Sequence, residues 1–127
     1  MTPREVVLAY WEAMGTNDFY KAAELLSADY ECYWPQSNEV IRGSKNFAEL
    51  NTNYPADGDW CFTLRRVVAE GQRVVTDVDI TDGSQSAKAI TFHTVVHGRI
   101  ARQVEYWPEE YEAPTWRSRW VAQPQTE

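Results

Sequence analysis

Near Trp60 the apolar residues change their spacing, and that change constrains the fold more than any other feature of the sequence. Upstream, Val6, Val7, Tyr10, Trp11 and Met14 recur at helical intervals. Downstream, Trp60, Phe62 and Leu64 alternate with Cys61, Thr63 and Arg65, and Val74, Thr76, Val78 and Ile80 alternate with Asp77 and Asp79. A period of 3.6 gives a helix one apolar stripe, and a period of 2 gives a strand one apolar face. A chain that runs helices first and strands after packs a helical layer on a sheet, which is the α+β arrangement.

Local signals divide the chain further. Thr2-Pro3-Arg4-Glu5 is a capping box with proline at the first helical position, and Gly15 is a natural stop, so the first helix is predicted over about 3–14. Asn17 and Asp18 can both cap a second helix with Phe19, Ala22, Ala23 and Leu26 on its apolar face, ending near Ser27-Ala28-Asp29. Tyr30 to Trp34 reads as extended and Pro35 closes it; Gln36 to Arg42 is a loop or a short hairpin. Gly43-Ser44 precede a short third helix carrying Phe47 and Leu50, and Tyr54 to Gly58 is turn chemistry. Turns at Glu70-Gly71, Asp82-Gly83 and His97-Gly98 then separate four strands, the last two at Ala87 to Val96 and Arg99 to Trp107, which form an antiparallel meander. The 127 residues show no repeat and no linker, so one domain is expected over 1–127, ending in an irregular tail at about 108–127 with Pro108, Pro114 and Pro124.

Charge and composition narrow the function classes. The net charge of −7 and the lack of a basic stripe argue against nucleic acid and anionic membrane as partners. No apolar run approaches the roughly 20 residues of a membrane helix, and Met1 to Glu5 lack a signal-peptide pattern. Cys32 and Cys61 form neither a zinc motif nor a disulfide framework; they read as reduced core thiols of a cytoplasmic protein. With His93 and His97 the only histidines, a metal site would need carboxylates for most of its ligands, and no metal or cofactor is expected. The 6 Trp, 7 Tyr and 4 Phe are enough to fill a core or to line a pocket.

Several segments carry a resemblance. Ala9 to Met14 followed by Asn17-Asp18-Phe19, Leu25 to Tyr30, Ile41-Arg42-Gly43-Ser44, and Gly98-Arg99-Ile100 leading to Glu105-Tyr106-Trp107 resemble the SnoaL-like, nuclear transport factor 2-like superfamily over about residues 3–108. The resemblance implies a cystatin-like cone, with three N-terminal helices closing one mouth of a curved antiparallel sheet around an apolar pocket. Relatives include ketosteroid isomerases, epoxide hydrolases, polyketide cyclases and proteins with no demonstrated chemistry, so the fold does not settle function. Tyr10 matches the isomerase tyrosine, but the two isomerase carboxyl positions fall at about Trp34 and Phe92. The cyclase acid position falls at Pro108, followed by Glu109. Glu105, two residues before Trp107, matches the epoxide hydrolase aspartate, whose arginine and aspartate companions fall at Val78 and Ile80. None of the three catalytic sets is complete.

The candidate site is therefore Glu105 as acid or base and Tyr10 as hydrogen-bond donor, with Gln103, Trp107, Trp34 and Phe92 binding a small apolar or aromatic ligand. Strand alternation puts Gln103, Glu105 and Trp107 on one face, which the resemblance turns toward the pocket. Two other readings of Glu105 stay open, one that it only orients a ligand, the other that it faces solvent or pairs with Arg65 or Arg66. Asp77 and Asp79 could form a metal or catalytic pair, but the alternation assigns them to the outer face. His93 is as consistent with an inward as with an outward side chain, and a satisfied sheet histidine is the plainer role. Tyr111, Trp116 and Trp120 in the tail need cover, from the chain's own sheet or from a neighbouring subunit, and the expectation is a homodimer. The runner-up function is a non-catalytic ligand-binding or dimerisation domain.

Overall fold

A computed structural model describes residues 1–124. Helix α1 spans Pro3–Gly15, and its capping box is formed: Glu5 N donates to Thr2 Oγ1 at 3.2 Å and Thr2 N donates to Glu5 Oε1 at 2.8 Å. Helix α2 spans only Phe19–Ala23, with Asp18 as its cap. Strand β1 follows over Leu26–Trp34, β2 over Glu39–Arg42, and helix α3 over Ser44–Thr52. The meander consists of β3 (Cys61–Glu70), β4 (Arg73–Thr81), β5 (Ser86–Val96) and β6 (Arg99–Tyr106).

One six-stranded sheet runs in the order β2-β1-β6-β5-β4-β3. All neighbours are antiparallel except β1 and β6, which are parallel. This pairing explains why the second helix is shorter than the apolar spacing suggests. Leu26 is not a helix residue; it starts β1, where Leu26 pairs with Ile100 and Ile100 N donates to Leu25 O at 2.8 Å. A parallel ladder with a strand 74 residues later in sequence outweighs a local helical pattern. Gln36 to Arg42 contains the short hairpin rather than a free loop. Gly43, at φ +86°, turns β2 into α3, a backbone conformation that a side chain would strain.

Register shifts interrupt the β1–β6, β3–β4 and β5–β6 pairings, and such bulges bend a sheet. The concave face holds the helices. From α1, Val6, Val7, Tyr10, Trp11 and Met14 are buried, and from the sheet Val74, Val78, Ala89, Val95 and Ile100 meet them. The convex face carries Asp77, Asp79, Lys88, Phe92 and Tyr106. Arg65 and Lys88 hold Asp79 at 2.7 and 2.8 Å, and Arg66 and Lys88 each hold Asp77 at 2.8 Å. These two aspartates are thus structural charges of the outer face, and no cluster of three metal-ligating side chains occurs among the described residues.

The two thiols differ. Cys32 is buried and Cys61 is exposed at the start of β3, so only the first is a core thiol. Up to Pro124 the tail is irregular apart from a single 3₁₀ turn at Thr115–Arg117, and Tyr111, Trp116 and Trp120 stay exposed, Trp116 at 72%. The chain's own sheet does not cover them. The end of the expected domain and tail, 125–127, lies outside the described residues. Among the described residues, no helix is long and apolar enough to cross a membrane.

Candidate active site

Between the helices and the concave face lies a cavity of about 110 Å³. An engineered cavity of ~150 Å³ takes up benzene, so this one suits a molecule of at most about that size. Half of its lining residues are aromatic. Exposed Tyr54, Gln85, Ser86 and Ala87 form the mouth, and buried Tyr10, Tyr30, Cys32 and Gln103 form the floor.

Period-two alternation on β6 sends Gln103, Glu105 and Trp107 inward, and on β5 it sends Thr91 and His93 inward. Phe92 lies between those two and therefore points outward. It is 47% exposed and packs edge-on against Tyr106 on the convex face, so its expected role in ligand binding is overturned. The same alternation rules out a Glu105 pair with Arg65 or Arg66, which are both on the opposite face.

Glu105 is 7% exposed and lines the cavity. Trp34 Nε1 donates to its Oε1 at 3.0 Å, and Thr91 Oγ1 donates to its Oε2 at 2.6 Å. Burial penalises the charged form and pushes its pKa up from the ordinary 4.5, while these two donors partly oppose the rise. The carboxyl is thus moved toward neutrality, where an acid or base is most useful. Trp34 and Trp107 stack edge-to-face with centroids 6.3 Å apart beside it. Tyr10 is fully enclosed on the cavity floor. Burial first, and then the nearby Glu105 charge, hold its phenol well above the ordinary value of 10.0, so it is a neutral donor. The structure therefore brings together Glu105, Tyr10, Gln103, Trp34 and Trp107, and separates Phe92 from them.

Beneath Glu105 a chain of neutral hydrogen bonds crosses the core. Tyr30 Oη donates to Gln103 Oε1 at 2.5 Å, and Gln103 Nε2 donates to His93 Nδ1 at 3.1 Å. His93 Nε2 then meets Thr76 Oγ1 at 2.9 Å, which also accepts from Trp11 Nε1 at 3.2 Å. An amide nitrogen only donates, so His93 Nδ1 accepts and its proton sits on Nε2. Turning the amide over reverses the sense of the chain and still leaves the ring neutral. Burial pulls the His93 pKa down to about 3, in keeping with a structural and uncharged imidazole. Gln103 thus spends one acceptor and one donor position on Tyr30 and His93, which links β6 to β1 and β5.

Three polar residues that read as loop or cap chemistry shape the cavity walls. Gln36 spans the Trp107 peptide: its Nε2 donates to Trp107 O at 3.0 Å and its Oε1 accepts from Trp107 N at 2.5 Å. Asn17, at φ +63°, does the same for Trp60, with 2.8 Å to its carbonyl and 2.7 Å from its N–H. Each side-chain amide replaces a missing strand neighbour and fixes a tryptophan backbone. Asp82 accepts from Ser84 N, Gln85 N and Asp57 N at 2.8–2.9 Å, and these backbone donors hold its carboxyl far below the usual range. It thereby ties the β4–β5 turn to the turn bearing Tyr54, on either side of the mouth. In the sequence, the only hint of these roles is their residue type next to a turn.

The sequence model of the SnoaL-like domain matches residues 7–103. No curated protein matches the chain. Among solved structures, a candidate ketosteroid isomerase from Kribbella flavida DSM 17836 is 30% identical, with a TM-score of 0.88, covering 98% of this chain and 91% of its own. An NTF-2 like protein of unknown function from Burkholderia xenovorans LB400 is also 30% identical, with a TM-score of 0.79 and coverage of 97% and 95%. An LEH-like epoxide hydrolase from M. tuberculosis shares the fold at 22% identity, with a TM-score of 0.68 and coverage of 84% and 82%.

Proposed function

The chain belongs to the SnoaL-like domain family, and on that premise we propose that it binds a small, largely apolar molecule in the aromatic cavity and moves one proton with Glu105. The observation that carries this reading is a lone carboxyl, buried and raised in pKa, among aromatic walls. Tyr10 supplies a neutral hydrogen-bond donor across the cavity, able to steady a substrate oxygen that gains charge. Trp34 and Thr91 orient the carboxyl. One proton shuttle in an enclosed site suffices for isomerisation, cyclisation or hydration, and relatives described as an isomerase and an epoxide hydrolase support that range.

A direct test is exchange of deuterium from solvent into the carbon beside the carbonyl of cyclopentanone, followed by NMR. The wild-type protein is expected to speed the exchange, and Glu105→Gln to lower that gain by roughly 100-fold, the scale of one general base. An equal rate in the variant removes Glu105 from the chemistry. The second reading, a ligand carrier without turnover, is favoured by the lack of a second acidic residue among the described residues of the lining; it predicts binding with no exchange in either protein.

A further inference from the structure

The cavity's charge pattern is one-sided. Among the described residues that line it, Glu105 is the only carboxyl and none is Lys, Arg or His. Trp34 and Thr91 each occupy one site on the carboxylate, which offers about four acceptor positions. Two positions therefore remain for a ligand's N–H donors. The ring faces of tryptophan and tyrosine carry negative potential, and a cation beside them is attracted, most strongly out of water.

The approach to the mouth carries the same sign. An outer groove shares Tyr54, Ser86, Ala87 and Trp107 with the cavity and continues to Glu109 and Glu110. Its two cations are already committed, since Arg65 and Lys88 both bind Asp79 and Lys88 also binds Asp77. Glu109 and Glu110 form no ion pair among the described residues, and the whole chain carries −7. Such a field repels anions and concentrates cations at the entrance.

We propose that the cavity selects a small organic cation, an alkylamine protonated at neutral pH, with the ammonium on Glu105 and the alkyl groups against Trp34 and Trp107. This rests on the reading of the cavity as a ligand site and names its ligand class. A carboxylate or phosphate ligand finds no positive partner inside and meets Glu105 unneutralised. A neutral ligand of equal shape keeps the apolar contacts and forgoes the ion pair and the cation–π contact.

Three compounds that share a tert-butyl group and differ in charge test this: tert-butylammonium, tert-butanol and pivalate. Binding is read from tryptophan fluorescence and from line broadening of the single tert-butyl NMR signal. The expected order is ammonium, alcohol, pivalate, with the ammonium bound at least about tenfold more tightly than the alcohol. Glu105→Gln, which keeps the shape and an acceptor for Trp34, is expected to abolish the preference of ammonium over alcohol while alcohol binding persists. A thermal melt of the variant establishes that it is folded, and the wild-type ranking stands without it. Alcohol or pivalate binding as tightly as the ammonium overturns the proposal, as does a preference that survives in Glu105→Gln. If the ranking fails but Glu105→Gln still stops deuterium exchange, only the ligand class is wrong. If no tert-butyl compound binds and cyclopentanone exchange is not accelerated either, the cavity is not a ligand site and both readings fall.

Discussion

The two faces of the sheet handle carboxylates in opposite ways. On the convex face Asp77 and Asp79 share Lys88 and each has its own arginine, and these hydrogen bonds lower both pKa values. On the concave face Glu105 has only neutral donors, and burial raises its pKa. Asp77 and Asp79 stand on β4 and Glu105 on β6, two strands apart in one antiparallel stretch of the sheet. The difference teaches that the surroundings, and not the residue type, decide whether a carboxylate stabilises the fold or is left free for chemistry.

The largest expected effect comes from breaking the inner face where it is fully satisfied. Gln103→Leu strips Tyr30 Oη and His93 Nδ1 of their partner at a site where all three side chains are buried. Two buried polar groups left unpaired cost about 3 kcal/mol, measurable by urea unfolding. A loss below ~1 kcal/mol would mean that the chain of hydrogen bonds is not holding β5 to β6 and β1.

Next in size is a difference in pH dependence. Between the ordinary 4.5 and its raised folded value, Glu105 keeps a proton that the unfolded chain releases. Its contribution is therefore fully present at low pH and is lost as pH rises through the folded value. The depressed aspartates Asp77, Asp79 and Asp82 work in reverse: their contribution is present above the ordinary 3.8 and is lost as pH falls. Glu105→Gln should accordingly gain stability relative to wild type as pH climbs from about 4 to about 8. A pH-independent gap between the two unfolding midpoints would show that the carboxyl is not raised.

The smallest effect is on the convex face. Asp77→Asn weakens contacts to Arg66 and Lys88, both of which reach solvent, and should cost no more than about 1 kcal/mol. Comparing unfolding in low salt and in roughly 1 M NaCl checks this, because screening should erase most of the difference. A large and salt-resistant loss would make the outer ladder a core element and weaken the contrast between the faces.

Much of the architecture was legible because it is local. The capping box, the helix face of Val6 to Met14, the turns and the four alternating strands are all set by neighbours within a few residues. Alternation also assigned Asp77 and Asp79 to the outer face and put Gln103 and Glu105 together. Phe92 departs from its expected place because only a family correspondence put it in the pocket, and with Thr91 and His93 inward on β5 residue 92 points out. Leu26 departs from its helical spacing because its strand partner, Ile100, lies far along the chain.

The sequence by itself determined the order of layers, one apolar face per element, and an acidic chain rich in aromatics. Only the tertiary structure decided what each inward polar group meets. Trp34 and Glu105 are 71 residues apart, as are Gln36 and Trp107, and Asn17 reaches Trp60 across 43. Periodicity fixes the direction of a side chain relative to its own strand. What stands opposite depends on the register of distant strands and on the bulges that curve them, and that is a property of the whole folded chain.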